Sequence, residues 1–229
     1  MENFIKHNYP EAEEGKILTK RLINKLEGEH QFDLSKTILG TSVCSDEIIR
    51  STTNFRDYAG VENPFQLGGL AGFPFSGLTG LKAFAAHIPD SGSAIILYGP
   101  HIGISKNGEI GVMQRHGQIL ETTCCGALQA SLSALQKKSE PADPELDYQL
   151  WRIEEELGKK SNDILAHEQP LVQTTEVMFD VIHSQIETLI HAAGEPLKGK
   201  KIALIGGIII NTDFDLPDWF ELRRFEVRE

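Results

Sequence analysis

The sequence predicts an α/β fold, in which a largely parallel central sheet is flanked by helices. Short runs of apolar and β-branched residues, with the length of buried strands, alternate along the chain with segments whose apolar residues recur at helical spacing. The chain has 229 residues, 40% of them hydrophobic, which is enough to bury one sizeable core. We therefore expect a single domain over residues 1–229.

The first half of the chain carries a predicted helix and two predicted strands. From about Glu13 to Glu29, apolar residues recur at helical spacing between Lys and Glu, which predicts an amphipathic helix. Thr37–Val43 and Ser93–Tyr98 are apolar runs typical of buried strands, and each leads into a polar loop. Between them, residues 64–80 are glycine-rich and apolar, which favours a short strand and a tightly packed loop, and Leu81–Ala86 predicts a helix end.

The second half of the chain predicts a hairpin, further helices and two strands. Ile104–Gln118 contains the Asn107-Gly108 pair that two-residue turns favour, with apolar residues on both sides. Helices are expected at Ala127–Lys138, directly after the cysteine pair, at the more polar Pro141–Lys160 and at the strongly amphipathic Val177–Ala193. Strands are expected at Ile202–Ile210, which is the most apolar run and so a central strand, and at Phe220–Val227, at an edge.

Charge and composition exclude several classes of partner. The formal net charge is −11, from 33 acidic and 22 basic residues, and no basic run is present that would neutralise a nucleic-acid backbone. No apolar stretch approaches the roughly 18 residues of a membrane-spanning helix. The N-terminus lacks the features of a secretory signal, and three cysteines do not suit a disulfide framework. We expect a cytoplasmic protein with reactive or metal-binding thiols.

Candidate metal ligands follow the predicted strands. Cys44 comes directly after the first strand and His101 after the second, and polar residues at the carboxyl ends of parallel strands gather at one edge of the sheet. Cys124 and Cys125 stand at a predicted helix start. Thiolates and imidazoles are zinc ligands, although buried free cysteines are commonly packing residues. The residues alone leave His87 as an alternative to His101, and Cys124 as an alternative to Cys125.

Five stretches, taken in order, carry a resemblance to a known family. They are Cys44-Ser45-Asp46-Glu47-Ile48-Ile49-Arg50, the glycine-rich Leu67–Gly80, His87–Asp90, Tyr98–Ile104 and Cys124–Ala127. Together they resemble the low-CO2-inducible proteins B/C, known from algae and with bacterial relatives, which share the fold and the zinc site of β-carbonic anhydrases. The resemblance implies a β-carbonic anhydrase-like α/β fold.

The same resemblance implies a Zn²⁺ ion held by Cys44, His101 and Cys125, since the Cys-Gly-Ala motif aligns Cys125 and not Cys124. One departure from ordinary β-carbonic anhydrases is that the histidine and the second cysteine, two residues apart in that group, are here separated by the predicted hairpin. His101 and Cys125 must therefore converge through the fold.

Asp46 and Arg50 are implied as a catalytic dyad, in which the arginine orients the carboxylate to accept a hydrogen bond from the zinc-bound hydroxide. The usual Cys-x-Asp-x-Arg spacing is stretched here to Cys-x-Asp-x-x-x-Arg, so the role of Arg50 rests on the spacing of the low-CO2-inducible family. A second arginine, Arg115, stands beside His116 next to a predicted turn, and we interpret both as surface charges in preference to a proton relay.

The resemblance also implies an activity, the reversible hydration of CO2 to bicarbonate and a proton through zinc-bound hydroxide. An apolar substrate pocket is expected at the glycine-rich segment, with Gly69, Phe73 and His87 as its candidate residues. The family further implies a homodimer. The alternative hypothesis is a catalytically silent zinc protein that acts as a partner-binding subunit in inorganic carbon acquisition.

Overall fold

The computed structural model describes residues 1–49, 54–57, 60 and 63–229, which form an α/β fold. The strands are β1 Glu13–Glu14, β2 Thr37–Ser42, β3 Phe65–Gln66, β4 Ser93–Tyr98, β5 His101–Gly103, β6 Val112–Met113, β7 Thr122–Thr123, β8 Lys201–Asn211 and β9 Trp219–Arg228. The α-helices are α1 Glu2–Asn8, α2 Gly15–Gly28, α3 Gly77–Ala86, α4 Gly126–Lys137, α5 Tyr148–Gly158, α6 Ser161–Leu165 and α7 Pro170–Ala193.

The main sheet is mostly parallel, as the alternation of strands and helices predicts. Its strands lie in the order β1-β9-β8-β4-β2-β3, and β5 also pairs with β8. Strands β2, β3, β4, β5 and β8 are parallel, whereas β9 and β1 add an antiparallel side. Parallel neighbours require crossover connections, which helices supply here.

The centre of the sheet explains the continuous apolar runs in the sequence. Every residue of β4 is buried, and so is β8 from Ile202 to Asn211. Because both faces of such strands lie against other elements, they lack the polar alternation of a half-exposed strand. Met178, Ile182 and Ile186 on α7 are buried with them. Each fully buried side chain of this size stabilises the fold by about 1.5–3 kcal/mol.

Three helices differ in length from the predictions. The expected helix over residues 141–160 begins only at Tyr148, where Asp147 caps it by accepting a hydrogen bond from the Leu150 amide at 3.0 Å. α7 begins at Pro170, before the expected Val177, because proline is well suited to the first turn of a helix. α3 begins at Gly77 and extends through the expected helix end. None of these helices, nor any other described helix, combines the length and apolar character needed to cross a membrane.

The predicted hairpin around Asn107-Gly108 is smaller than expected. The turn is closed by the Ser105 amide, which donates to the Glu109 carbonyl at 3.0 Å, and by a single bridge between Ile104 and Ile110. The longer pairing runs instead between β6 and β7, whose connecting loop contains Arg115 and His116. This hairpin connects β5 to the cysteine pair at the start of α4.

Candidate metal centre

Cys44 and His101 follow the carboxyl ends of two neighbouring parallel strands, β2 and β4. Cys44 follows β2, and His101 begins β5 after the Gly99-Pro100 turn that ends β4. The Gly99 amide donates to the Ser42 carbonyl at 3.0 Å, which ties the two strand ends together. Both side chains are buried, with Cys44 8% exposed and His101 0% exposed.

The turn between β4 and β5 requires glycine. Gly99 has φ of +149°, and a Cβ at this position would overlap the carbonyl oxygen of Gly207 on β8. Only a residue without a side chain allows the two backbones to approach this closely. The position of His101 therefore depends on Gly99.

Cys125 comes from the other side of the centre, as the N-cap residue of α4. It is 2% exposed, and its Sγ lies 3.9 Å from the Sγ of Cys44. The ligand atoms of Cys44, His101 and Cys125 all lie within 4.8 Å of one another. Among the described residues, these three form a group that could hold a metal ion.

The environments of the two thiols push their pKa values in opposite directions. The hydrogen bond from Cys44 and the backbone amides of Leu128 and Ala127, at the N-terminus of α4, lower the pKa of Cys125 despite its burial. The same hydrogen bond to Cys125, together with burial, raises the pKa of Cys44. Ionisation of Cys125 is therefore favoured over ionisation of Cys44, and a bound cation would favour both thiolates.

His101 presents one ring nitrogen to this group. Its Nδ1 lies 2.8 Å from the Oδ1 of Asn211, whereas its buried Nε2 has no hydrogen-bond partner among the described residues. A buried, unpaired imidazole nitrogen is costly unless a ligand satisfies it. Nε2 is the nitrogen that fits a metal.

Cys124 lies on the other side of the imidazole. Its Sγ is 3.4 Å from the Nδ1 of His101 and 3.7 Å from the Oδ1 of Asn211, and its side chain is fully buried. The structure brings Cys125, and not Cys124, into the group with Cys44 and His101.

Asp46, two residues beyond Cys44, forms a two-pronged ion pair with Arg115. The Nη1 and Nη2 atoms of Arg115 donate to Oδ1 and Oδ2 of Asp46 at 2.9 and 3.0 Å. Burial opposes ionisation of the carboxyl, but the Arg115 guanidinium outweighs it and lowers the pKa of Asp46 to about 2. Asp46 is therefore ionised at neutral pH.

Arg115 is itself held in place by the β6–β7 hairpin. Its Nε donates to the Thr122 hydroxyl at 3.1 Å and its Nη2 to the Thr123 carbonyl at 3.2 Å, while Nη1 also contacts Glu47. Only 16% of the side chain is exposed. The interpretation of Arg115 as a surface charge was therefore wrong, and sequence reasoning missed its contact with Asp46.

Arg50, the arginine that the sequence predicts as the partner of Asp46, lies outside the described residues. His87, an alternative ligand and candidate pocket residue, is exposed at the C-terminal end of α3, where its ring contacts Phe65, and it is not in the three-residue group.

Gly69 is buried, close to Gln149 and Phe75. Phe73 contacts Phe75 and lines a cavity beside α5 and α7.

A different cavity lies beside the Asp46–Arg115 pair. It has a volume of about 330 Å³ and is lined by Glu47, Ile48, Met113, Arg115, His116 and Phe214. Its walls combine apolar side chains with the guanidinium of Arg115 and the exposed imidazole of His116, whose ring lies edge-on to Phe214. The apolar part of this surface suits a small neutral molecule, whereas the charge of Arg115 is offset by its ion pairs with Asp46 and Glu47.

Comparisons with known proteins identify the family and the fold. Residues 17–229 match the family described as limiting CO2-inducible proteins B/C, beta carbonic anhydrases. The solved structure of PtLCIB4, a homolog of the limiting CO2-inducible protein LCIB, is 32% identical and superposes with a TM-score of 0.91, covering 100% of this chain and 96% of that one. LCIB itself is 22% identical with a TM-score of 0.67, covering 96% and 93%, which shows a shared fold. A comparison with curated proteins found no match.

Proposed function

The chain belongs to the family of limiting CO2-inducible proteins B/C, a group of β-carbonic anhydrases, and we propose that it is a zinc-dependent carbonic anhydrase. The reaction is the reversible hydration of CO2 to bicarbonate and a proton. The observation that carries the proposal is a buried group of two thiols and an imidazole with an arginine-held carboxylate two residues from one thiol.

The donor set and its spacing fit Zn²⁺. Cys44, His101 and Cys125 supply two sulfurs and one nitrogen, and three protein ligands are typical of catalytic zinc sites. Two thiolates bound tetrahedrally at about 2.3 Å from one ion lie about 3.8 Å apart, close to the observed 3.9 Å between Cys44 and Cys125. When bound, Zn²⁺ would supply the acidity that makes a water molecule nucleophilic near neutral pH.

Asp46 stands two residues beyond Cys44 and carries the negative charge that orienting the reacting water requires. With both of its oxygens engaged by Arg115, the carboxylate is held in one orientation and kept ionised. A carboxylate without a proton only accepts hydrogen bonds, so it fixes the direction of the water's O–H and thereby its lone pair. The proposal gives Arg115 the role of holding Asp46, and Arg50 remains a second candidate for that role.

The cavity beside Arg115 suits the exchange of substrate and product. The proposal places CO2, which is neutral, against the apolar side chains of Ile48 and Met113, and assigns the release of bicarbonate to the same cavity, past His116. Phe73 lines another cavity, Gly69 lies close to Gln149 and Phe75, and the ring of His87 contacts Phe65. These contacts are with residues outside the three-residue group, and we therefore propose the cavity beside Arg115 as the substrate pocket.

The proposed assembly is a homodimer in the cytoplasm. Ile119 and Leu120 in the β6–β7 loop are 92% and 76% exposed, and adjacent exposed apolar residues favour a protein contact. Sedimentation equilibrium decides between a dimer and a monomer of 25.4 kDa.

The proposal is tested by zinc analysis of the purified protein together with stopped-flow CO2 hydration at pH 7 and pH 8.5. We expect one zinc per chain and catalysis well above buffer in the wild type. Cys44→Ser should lose both zinc and activity, because a hydroxyl is a poor zinc ligand. Cys124→Ser tests the choice of Cys125 over Cys124, since it changes the neighbouring buried cysteine outside the three-residue group, and it should keep one zinc per chain.

Stoichiometric zinc without hydration at either pH would refute the enzyme and leave the catalytically silent partner protein. Full activity in Cys44→Ser would refute the ligand set.

A further inference from the structure

Asn211 is a buried amide directly behind the imidazole of His101. It is the last residue of β8, is 0% exposed and pairs in register with Gly103 of β5. Its carbonyl oxygen also accepts a hydrogen bond from the Ile104 amide at 2.9 Å. The backbone of Asn211 is therefore fixed relative to the strand that carries His101.

The contacts of the Asn211 side chain determine which way the amide points. Its Nδ2 donates to the carbonyl oxygen of Ile48 and to the Oδ2 of Asp218, each at 3.1 Å. A backbone carbonyl and a carboxylate can only accept hydrogen bonds, so the NH2 group must face them. The opposite orientation would place three acceptor oxygens together.

With the NH2 group so fixed, Oδ1 of Asn211 faces Nδ1 of His101 at 2.8 Å. An amide oxygen only accepts, so Nδ1 must carry the proton that is donated. The lone pair of the neutral ring is then on Nε2, the nitrogen without a hydrogen-bond partner among the described residues.

We propose that Asn211 is a positioning residue that selects the Nδ1–H tautomer of His101 and aims Nε2 at the metal centre, with Ile48 and Asp218 fixing the Asn211 amide. The role toward the metal rests on the proposed function, whereas the tautomer does not. Imidazole ligands of metals commonly donate their second N–H to such a partner, which fixes the ring orientation.

The same amide joins the ligand to the loop that carries Asp46. Ile48 lies two residues beyond Asp46, whose Oδ1 also accepts from the Ile48 amide at 3.3 Å. One side chain therefore sets the position of His101 relative to Asp46. Asp218 extends the network, because its Oδ1 accepts from the Thr212 amide at 3.3 Å.

The test uses the full-length chain with three variants. Asn211→Leu removes the acceptor for Nδ1–H. Asp218→Asn leaves Asn211 in place but replaces one of the two carboxylate oxygens, which accept from Asn211 and from the Thr212 amide, by an NH2 group. Thr174→Val is the control, because it removes a buried hydroxyl whose bond goes to the Pro170 carbonyl in the same helix. Zn²⁺ affinity is measured by chelator competition, and ¹⁵N NMR of histidine-labelled protein identifies the protonated nitrogen of His101.

We expect Nδ1 of His101 to be protonated in the wild type and the Zn²⁺ affinity to fall roughly 10- to 100-fold in Asn211→Leu. Asp218→Asn should weaken binding less, and Thr174→Val should leave it unchanged. In Asn211→Leu, the proton on the neutral ring should redistribute toward Nε2.

A proton on Nε2 alone in the wild type, or an unchanged Zn²⁺ affinity in folded Asn211→Leu, would overturn the inference. If Asn211→Leu fails to fold, the wild-type tautomer and the affinity of Asp218→Asn decide the question. A wild type that lacks carbonic anhydrase activity or zinc would refute the proposed function, while the NMR measurement would still decide the role of Asn211.

Discussion

The ion pair between Asp46 and Arg115 is the single-residue feature on which the proposed chemistry depends most. Arg115 contacts both carboxylate oxygens, and the β6–β7 hairpin holds the guanidinium by two further hydrogen bonds. Such a pair is stronger and more directional than a contact to a lysine ammonium, because the guanidinium is a planar fork.

Arg115→Ala should lower the rate of CO2 hydration by roughly 10²-fold, because Asp46 would lose the contact that orients it. Arg115→Lys should recover little of this loss, since an ammonium cannot bind both oxygens in the same geometry. Both variants should keep one zinc per chain, which metal analysis checks alongside stopped-flow kinetics.

Two arginine variants provide the comparison. Arg21→Ala removes an exposed ion pair with Glu13 and should leave the rate unchanged. Arg50→Ala tests the role that the motif spacing predicts. If Arg50→Ala abolished the activity and Arg115→Ala did not, the assignment of Arg115 would be wrong.

Glu221 is a buried carboxyl whose charge destabilises the fold. It is 2% exposed, and its Oε2 has no hydrogen-bond partner among the described residues. Burial is the largest cause of its raised pKa, and the charges of Glu176 and Glu11 add to it, whereas the Arg223 guanidinium and a hydrogen bond from the Glu11 backbone oppose it. The folded protein therefore holds this proton more tightly than the unfolded chain, and stability is lost as pH rises above the unfolded value of about 4.3.

Glu221→Gln should accordingly raise the melting temperature at pH 7.5, because the neutral amide avoids burying a charge. The gain should shrink toward about pH 3, where the wild-type carboxyl is protonated in both states. Calorimetry of both proteins across this range measures the effect, with the exposed Glu140→Gln as control. An equal gain at both pH values would show that the charge of Glu221 is not the cause.

Two features limited the prediction of single site residues. Two of the cysteines are adjacent in the sequence, and one important contact joins residues that are far apart in the chain. Cys44 and His101 could be found because each follows an apolar strand. Cys124 and Cys125 are neighbours at a helix start, so their burial patterns do not separate them, and the family motif was needed. The contact between Asp46 and Arg115 spans 69 positions in the sequence and depends on a hairpin whose pairing the turn signal misplaced.

Strand ends are the elements that position the candidate site. β2 and β4 are parallel, so their carboxyl ends lie together, and the Gly99 turn carries the chain from β4 into β5 and to His101. These strands could be predicted because both faces are buried, which makes their sequences continuously apolar. The predicted helix over residues 141–160 begins too early, because the polar residues before Tyr148 carry no helix-start signal as strong as the Asp147 cap.

Gly99→Ala should destabilise the fold by roughly 3 kcal/mol or more and weaken zinc binding, because the new Cβ would overlap the Gly207 carbonyl and displace the turn before His101. Urea denaturation and chelator competition measure the two effects. Gly28→Ala is the matched control, at a helix end with no atom within 4 Å of the new Cβ, and it should be neutral or slightly stabilising. Wild-type stability in Gly99→Ala would contradict the description of this turn.

At the scale of the whole molecule, the candidate site depends on the complete fold. Its three ligands come from the end of β2, the start of β5 and the N-cap of α4. Asn211, at the end of β8, contacts one of them, His101. The sequence predicted the α/β class and the strands, because local periodicity reports burial. It could not predict the distance between Cys44 and Cys125, since that distance is set by packing between elements.

The most direct test of the central claim is zinc K-edge X-ray absorption of the purified protein. We expect two sulfur ligands at about 2.3 Å, with the remaining nitrogen and oxygen ligands at about 2.0–2.1 Å. This pattern should be unchanged in Cys124→Ser, whereas Cys125→Ser should lose the zinc, as Cys44→Ser does. A protein without zinc, or a zinc ion bound by three sulfurs or by none, would contradict the assignment of Cys44, His101 and Cys125.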